Sequence, residues 1–327
     1  MTVNFTSSAT QAAALRQRGV PQTSTLPQMY NALTIDVEDY FHVEAFQRVI
    51  RREDWHRYAP RIYHSTLKIL DLLARHGIRA TFFILGWVAE KTPGIVKEIQ
   101  AAGHEIGSHG YAHQVIYQQT PDEFAEDLRR SLEIIEEITG EQVLGFRAPS
   151  FSITNRSLWA IEIMQSFGLV YDSSVFPIVH DIYGIPDAPR HPYQIAGGFW
   201  EFPMTTVRVM GKNIPIGGGG YLRIFPYWLT RWGIDRVNSA GESAVVYLHP
   251  WELDPGHPRI KTSPLNHFRH YINLAKTEGR LDALCKDFKF KSIRGLLDDR
   301  AVLPAQENAV HWRQHRGNAA SASQKKG

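Results

Sequence analysis

The chain has almost no cysteine. Cys285 stands alone among 327 residues, which excludes an internal disulfide framework and a thiolate metal cluster. Its surroundings, LDALCKDF, read as a helix in which it packs as a small hydrophobe. Long apolar runs are missing too: nothing approaches the roughly 20 residues of a membrane-spanning helix. Residues 1–28 are polar and lack the apolar core of a secretory signal, so they read as a disordered leader. The expected location is therefore cytoplasmic or at the inner face of the membrane, with the periplasm as the alternative. Charge of one sign is also scarce. The formal net charge is +3, and the stretch from Pro304 onward carries all of it, with Arg313, Arg316, Lys325 and Lys326 against Glu307. Residues 304–327 read as a disordered basic tail, and the neutral remainder has no basic field to attract nucleic acid. Neither a G-x-S-x-G elbow nor a phosphate loop ending in GK[ST] occurs. There are no internal repeats.

What is present is alternation. Strand-like runs fall at 32–36 (ALTID), 80–85 (ATFFIL), 104–109 (HEIGSH), 143–149 (VLGFRAP), 169–174 (LVYDSS) and 244–250 (AVVYLHP). Between them lie helices with legible ends. One starts at Thr92-Pro93 and stops before Gly103. Another starts at Thr120-Pro121, where Thr120 and Glu123 fit a capping box. Its Phe124, Leu128, Leu132, Ile135 and Ile138 follow a helical period, and Gly140 ends it. A third lies between Asn155 and Gly168. This pattern predicts an α/β fold built on a largely parallel sheet or barrel. Residues 178–243, rich in Pro, Gly and aromatics with little helical period, read as a long insertion shaping a cleft. There Gly217 to Gly220 would allow close backbone approach. From about 250 a helical extension follows, so the folded domain is expected over 29–303.

Five polar residues sit at or just past the ends of the strand candidates: Asp36, His109, Arg147, Asp172 and His249. In parallel α/β folds that edge is where sites are built. His109 and His113, four apart, can face one cation. With 15 histidines such a pair can arise by chance, but this one follows a strand and GHEIGS directly. Asp36, Glu38 and Asp39 cluster beyond the first strand, either to bind a cation or as acids at a helix N-terminus. His249 in LHP is either a hydrogen-bonded core residue or a proton donor. Arg147, beside Ala148-Pro149, needs an acid partner if buried, and Asp36 is the natural one. Together these describe a metal-dependent hydrolytic site with a carboxylate base and a histidine acid.

With those motifs in series, residues 30–250 resemble the polysaccharide deacetylases of carbohydrate esterase family 4, the NodB-homology group. The stretch RATFFILGWVAEKTPGIVKEIQAAGHEIGSHGYAH is similar to that family nearly throughout. The resemblance implies a distorted (β/α) barrel and hydrolysis of the N-acetyl group of N-acetylhexosamine units. Asp36 would be the catalytic base, Arg147 the residue orienting it and His249 the general acid. His109 and His113 would bind a divalent metal, zinc by the resemblance, together with Glu38 or Asp39. Many members have two adjacent acids, whereas here the run is Asp-Val-Glu-Asp, so both stay candidates. Asp172, Leu248, Pro149 and Tyr111 would line the substrate groove. GGGGYLR, HPWELDP and HFRHYINLAKTEGRL resemble the C-terminal extension of deacetylases associated with exosortase-linked exopolysaccharide clusters, implying an exopolysaccharide substrate. Two rivals remain: an amidase of the same fold acting on a non-sugar amide, and an inactive carbohydrate-binding protein.

Overall fold

The computed structural model describes residues 28–301, Asp181 excepted. Residues 1–27 of the expected leader and the whole of the expected tail lie outside the described residues. Strands β1 (Asn31–Val37), β2 (Thr81–Ile84), β3 (Glu105–Ser108), β4 (Gly145–Phe146) and β5 (Tyr171–Asp172) run parallel, each beside the one before. Next, β6 (Tyr193–Gln194) pairs antiparallel with β7 (Trp200–Glu201), which lies parallel to β5. A separate hairpin, β8 (Thr206–Val209) and β9 (Lys212–Pro215), comes before β10 (Val245–Leu248). Strands β10 and β11 (Phe290–Lys291) both pair parallel with β1. The helices are α1 (Ile62–Arg75), α2 (Gly86–Lys91), α3 (Pro93–Ala101), α4 (Pro121–Thr139) and α5 (Ala160–Ser166), then α6 (Gly219–Ile224), α7 (Tyr227–Ser239), α8 (Pro264–Tyr271), α9 (Leu274–Asp287) and α10 (Ile293–Ala301). Among the described residues no helix is long and apolar enough to cross a membrane.

Strand alternation divides the core in two. Leu33, Ile35 and Val37 of β1, with Phe82 and Ile84 of β2, face outward into the cluster that the helices cover. Ala32 of β1 and Phe83 of β2 face inward, meeting Tyr171 of β5 and Val245 and Tyr247 of β10. The same period turns Thr34 and Asp36 inward. The sheet is curled, as one bond shows: Arg147, just past β4, reaches Thr34 and Asp36 on β1 at 2.7 Å. In a flat sheet those strands would lie about 14 Å apart.

The curl stops short of a closed barrel, because β10 and β6 are the two ends of the strand order. Part of the open edge is covered by the glycine run. Gly217 accepts the Tyr247 N–H at 2.7 Å and Gly218 bridges Tyr247. A Cβ at Gly218, where φ is 123°, would sit 1.9 Å from the Tyr247 carbonyl oxygen. Close backbone approach is therefore what these glycines provide.

The Thr120–Glu123 capping box forms, and Gly140 ends α4 with φ at 68°. The reading of 178–243 as an insertion of little helical period needs correction, since α6 and α7 lie inside it. The buried face of α7 is Thr230, Gly233, Ile234 and Val237. Half of that face is not apolar bulk, so no amphipathic stripe appears. Gly233 is there because Ile216 occupies the space its Cβ would take, 2.2 Å away. The helical extension comprises α8, α9 and α10, with β11 before the last, and Asn273 at φ 52° separates α8 from α9.

Candidate active site

The carboxyl ends of β1, β3, β4 and β10 open onto one cavity of about 1030 Å³, lined among others by Asp36, Glu38, His109, His113, His249 and Tyr247. Its floor begins on β1. The Glu38 N–H turns back to the Asp36 carbonyl at 3.0 Å, a three-residue turn that keeps Glu38 beside Asp36. The histidine loop is held from outside. Asp127 of α4 accepts the N–H groups of Tyr111 at 2.8 Å and Ala112 at 3.0 Å. Gly110, at φ 71°, leaves room for that carboxylate: a Cβ there would meet it at 2.8 Å.

Glu38, His109 and His113 each present one ligand atom, all within 4.8 Å of one another and all buried. The Nδ1 of His109 lies 2.8 Å from the Arg147 carbonyl oxygen, which fixes its tautomer with the N–H there and leaves the other nitrogen's electron pair free. His113 Nε2 lies 2.6 Å from Glu38 Oε2, so a proton or a cation must mediate that contact. Nδ1 of His113 has no hydrogen-bond partner among the described residues. One carboxylate and two imidazoles form a donor set suited to a divalent cation with open positions.

Electrostatics agree with this division. Burial opposes ionisation of Glu38, yet His113, followed by His249 and His109, holds it well below the usual carboxylate range. Burial pushes His109 down to about 4, so it is neutral, as a ligand must be. Burial also works against the charge on His249, but Glu252, then Glu38 and Asp36, raise it to about 9. His249 Nε2 lies 3.8 Å from Asp36 Oδ2 and 3.6 Å from Glu38 Oε1.

Arg147 is fully buried, and each of its three nitrogens donates a hydrogen bond. It donates to Asp36 Oδ1 and Thr34 Oγ1 at 2.7 Å each, to the Ser173 carbonyl at 2.8 Å and to Ser173 Oγ at 2.7 Å. Asp36 is thus the partner expected of it.

Other expected positions fall elsewhere. Asp39 faces away from the cation set: Oδ1 accepts the Tyr40 N–H at 2.9 Å, and Oδ2 accepts those of Arg61 at 2.6 Å and Ile62 at 2.9 Å. It caps the start of α1, so of the two acids left open, Glu38 faces the histidines. The four groove positions also need correction, since none lies in the cavity wall. Asp172 is buried, bonded to Ser174 and paired with Glu201. Leu248 and Pro149 are buried behind the wall. Tyr111 points outward, its hydroxyl 2.5 Å from Glu90 and its ring under Arg130. Ala148, Ser150, Phe151 and Tyr183 stand in the wall instead. Sequence reasoning missed Arg223 and Glu252. The available signal was an acid three places after a strand-end histidine, the spacing of a capping box.

Fold and site together define a parallel α/β half-barrel with a carboxylate and two histidines at its carboxyl edge. Residues 60–171 match the family profile described as polysaccharide deacetylase, and 173–298 match a domain of unknown function (DUF3473). Residues 60–171 are thus a domain of the polysaccharide deacetylase type of carbohydrate esterase family 4, with that second domain following. It is 41% identical over 106 residues to a peptidoglycan-N-acetylglucosamine deacetylase of Bacillus cereus, covering 32% of this chain and 38% of the relative. It is 32% identical over 108 residues to a peptidoglycan deacetylase of Helicobacter pylori, covering 33% and 36%. The matched stretch thus spans little more than a third of either relative. A solved Mycobacterium smegmatis structure assigned as a polysaccharide deacetylase shares the fold, with a TM-score of 0.58, 20% identity, and coverage of 88% of this chain and 95% of that one.

Proposed function

We propose that this protein hydrolyses the N-acetyl amide of N-acetylhexosamine units in a polysaccharide, releasing acetate, with a divalent cation, zinc, held by Glu38, His109 and His113. The observation that carries this reading is convergence: a cation-binding set, a carboxylate and a charged histidine from three strand ends surround one cavity. A cavity of about 1030 Å³ lies at the upper end of small-molecule sites and suits several sugar rings.

Bound there, the cation supplies Lewis-acid chemistry, acidifying water and polarising an acyl oxygen. Asp36 accepts the proton of the attacking water on Oδ2, since Arg147 holds Oδ1. As the C–N bond breaks, the bonding pair goes to nitrogen, which takes a proton from His249 Nε2. The products are acetic acid and the free amine.

The curated relatives are named for peptidoglycan. For this chain we place an exopolysaccharide first, on the motifs GGGGYLR and HPWELDP in the second unit. The test is metal analysis of purified protein alongside acetate release from acetylated glucosamine oligomers, exopolysaccharide and peptidoglycan. His113→Ala should lose metal and activity together. Asp36→Asn should keep its metal and lose about 1000-fold in kcat. Full turnover by either variant overturns the assignment, and release from peptidoglycan alone overturns the choice of polymer.

A further inference from the structure

The second unit, residues 173–298, supplies His249 to the cavity and backs it with two buried side chains. Arg223 of α6 and Glu252, three residues after His249, are 3% and 1% exposed and lie 2.8 Å apart. Arg223 is pinned. Its Nη1 donates to the carbonyl oxygens of His270 at 2.8 Å and Ile272 at 3.2 Å, and its guanidinium lies 5.2 Å from the centre of the Trp251 ring. Glu252 has both oxygens engaged. Oε1 accepts the Arg223 N–H, while Oε2 accepts the backbone N–H of His249 at 3.1 Å and lies 3.5 Å from its ring Nδ1, an ionic contact rather than a hydrogen bond. The His249 ring also stacks on Trp251, centroids 5.2 Å apart, so its plane is set as well. What remains is Nε2, directed at Asp36 and Glu38.

We infer that Arg223 and Glu252 are positioning residues for deacetylation: through Nδ1 they hold His249 with its Nε2 proton aimed at the departing nitrogen. This inference rests on the deacetylase reading above. It also states what the second unit adds to the reaction, because Arg223 and Glu252 both belong to residues 173–298. A carboxylate at one ring nitrogen fixes the direction of the other, and a buried pair is sustained when both members are hydrogen-bonded. Asp172 does not share this task, being committed to Ser174 and Glu201.

A misaligned acid matters only where the leaving group needs a proton. The test compares acetate release from acetylated glucosamine oligomers with hydrolysis of 4-nitrophenyl acetate, whose phenolate leaves unaided, by the zinc-loaded protein. Glu252→Gln should lower kcat on the oligomers about 100-fold with KM and metal content unchanged, and lower the ester rate about tenfold less. Arg223→Lys keeps the charge but loses the fork of N–H groups, and should show the same split, about tenfold on the oligomers. It keeps the inference testable should Glu252→Gln fail to fold. Equal losses on both substrates, or no loss, overturn the positioning role while the deacetylase reading stands. A zinc-loaded wild-type protein that releases no acetate overturns both.

Discussion

Four acids singled out in the sequence are equally buried, yet they divide between two regions of the molecule. Asp36 (2% exposed) and Glu38 (1%) form the cavity floor, and Asp39 (1%) and Asp172 (0%) form the layer behind it. Burial does not separate them; what differs is whether an oxygen is left for chemistry. Asp36 has one oxygen on Arg147 and the other toward His249, and Glu38 faces two imidazoles. Asp39 spends its oxygens on three backbone N–H groups, and Asp172 bonds Ser174 and Glu201. A floor acid can accept a proton or hold a cation, whereas an acid behind it stiffens the scaffold.

The largest effect tests the bond linking the two regions. Arg147→Met strands the Asp36 charge without a partner, and denaturant unfolding should show a loss of about 3–5 kcal/mol. Arg223→Met should cost less, because Glu252 keeps the His249 N–H. The reverse order would mean that the floor does not depend on the layer behind it.

A smaller effect concerns pH. Burial raises Asp172 from its ordinary 3.8 to about 6, against its bonds to Ser174 and Glu201. Burial raises Glu201 too, with Asp172 beside it adding in the same direction. Between pH 4 and 6 the folded state therefore keeps a proton that the unfolded chain releases. The stabilisation is complete below about pH 4 and is lost as pH rises through about 6. Asp172→Asn should flatten the gain in stability on acidification from pH 7 to 5 by about 1–2 kcal/mol relative to wild type. An unchanged slope would place the shared proton on other groups.

The smallest effect sharpens the division between neighbours. Asp39→Ala should cost about 1–2 kcal/mol in thermal unfolding through the lost cap on α1, with metal content unchanged. Metal loss would move Asp39 to the floor.

Much of this was legible without coordinates. ALTID ends in Asp36 at the carboxyl end of its strand, Thr120 and Glu123 announce the start of α4, and His109 and His113 follow their strand at a ligand spacing. Other features were hidden for identifiable reasons. The face of α7 contains a threonine and a glycine because Ile216 fills the space, and no apolar stripe survives. Arg223 and Glu252 stand 29 positions apart with nothing in either motif to join them.

The sequence by itself determined which side chains stand at the carboxyl ends of parallel strands, because strand alternation, caps and glycine stops are local. It could not decide which of two neighbouring acids meets the histidines, or which carboxylate backs His249. Those assignments depend on which donors arrive from elsewhere in the chain. The start of α1 claims Asp39, Ser174 and Glu201 claim Asp172, and the curled sheet delivers Arg147 to Asp36. A buried carboxylate takes its role from the oxygens its neighbours leave free, and only the tertiary structure brings those neighbours together.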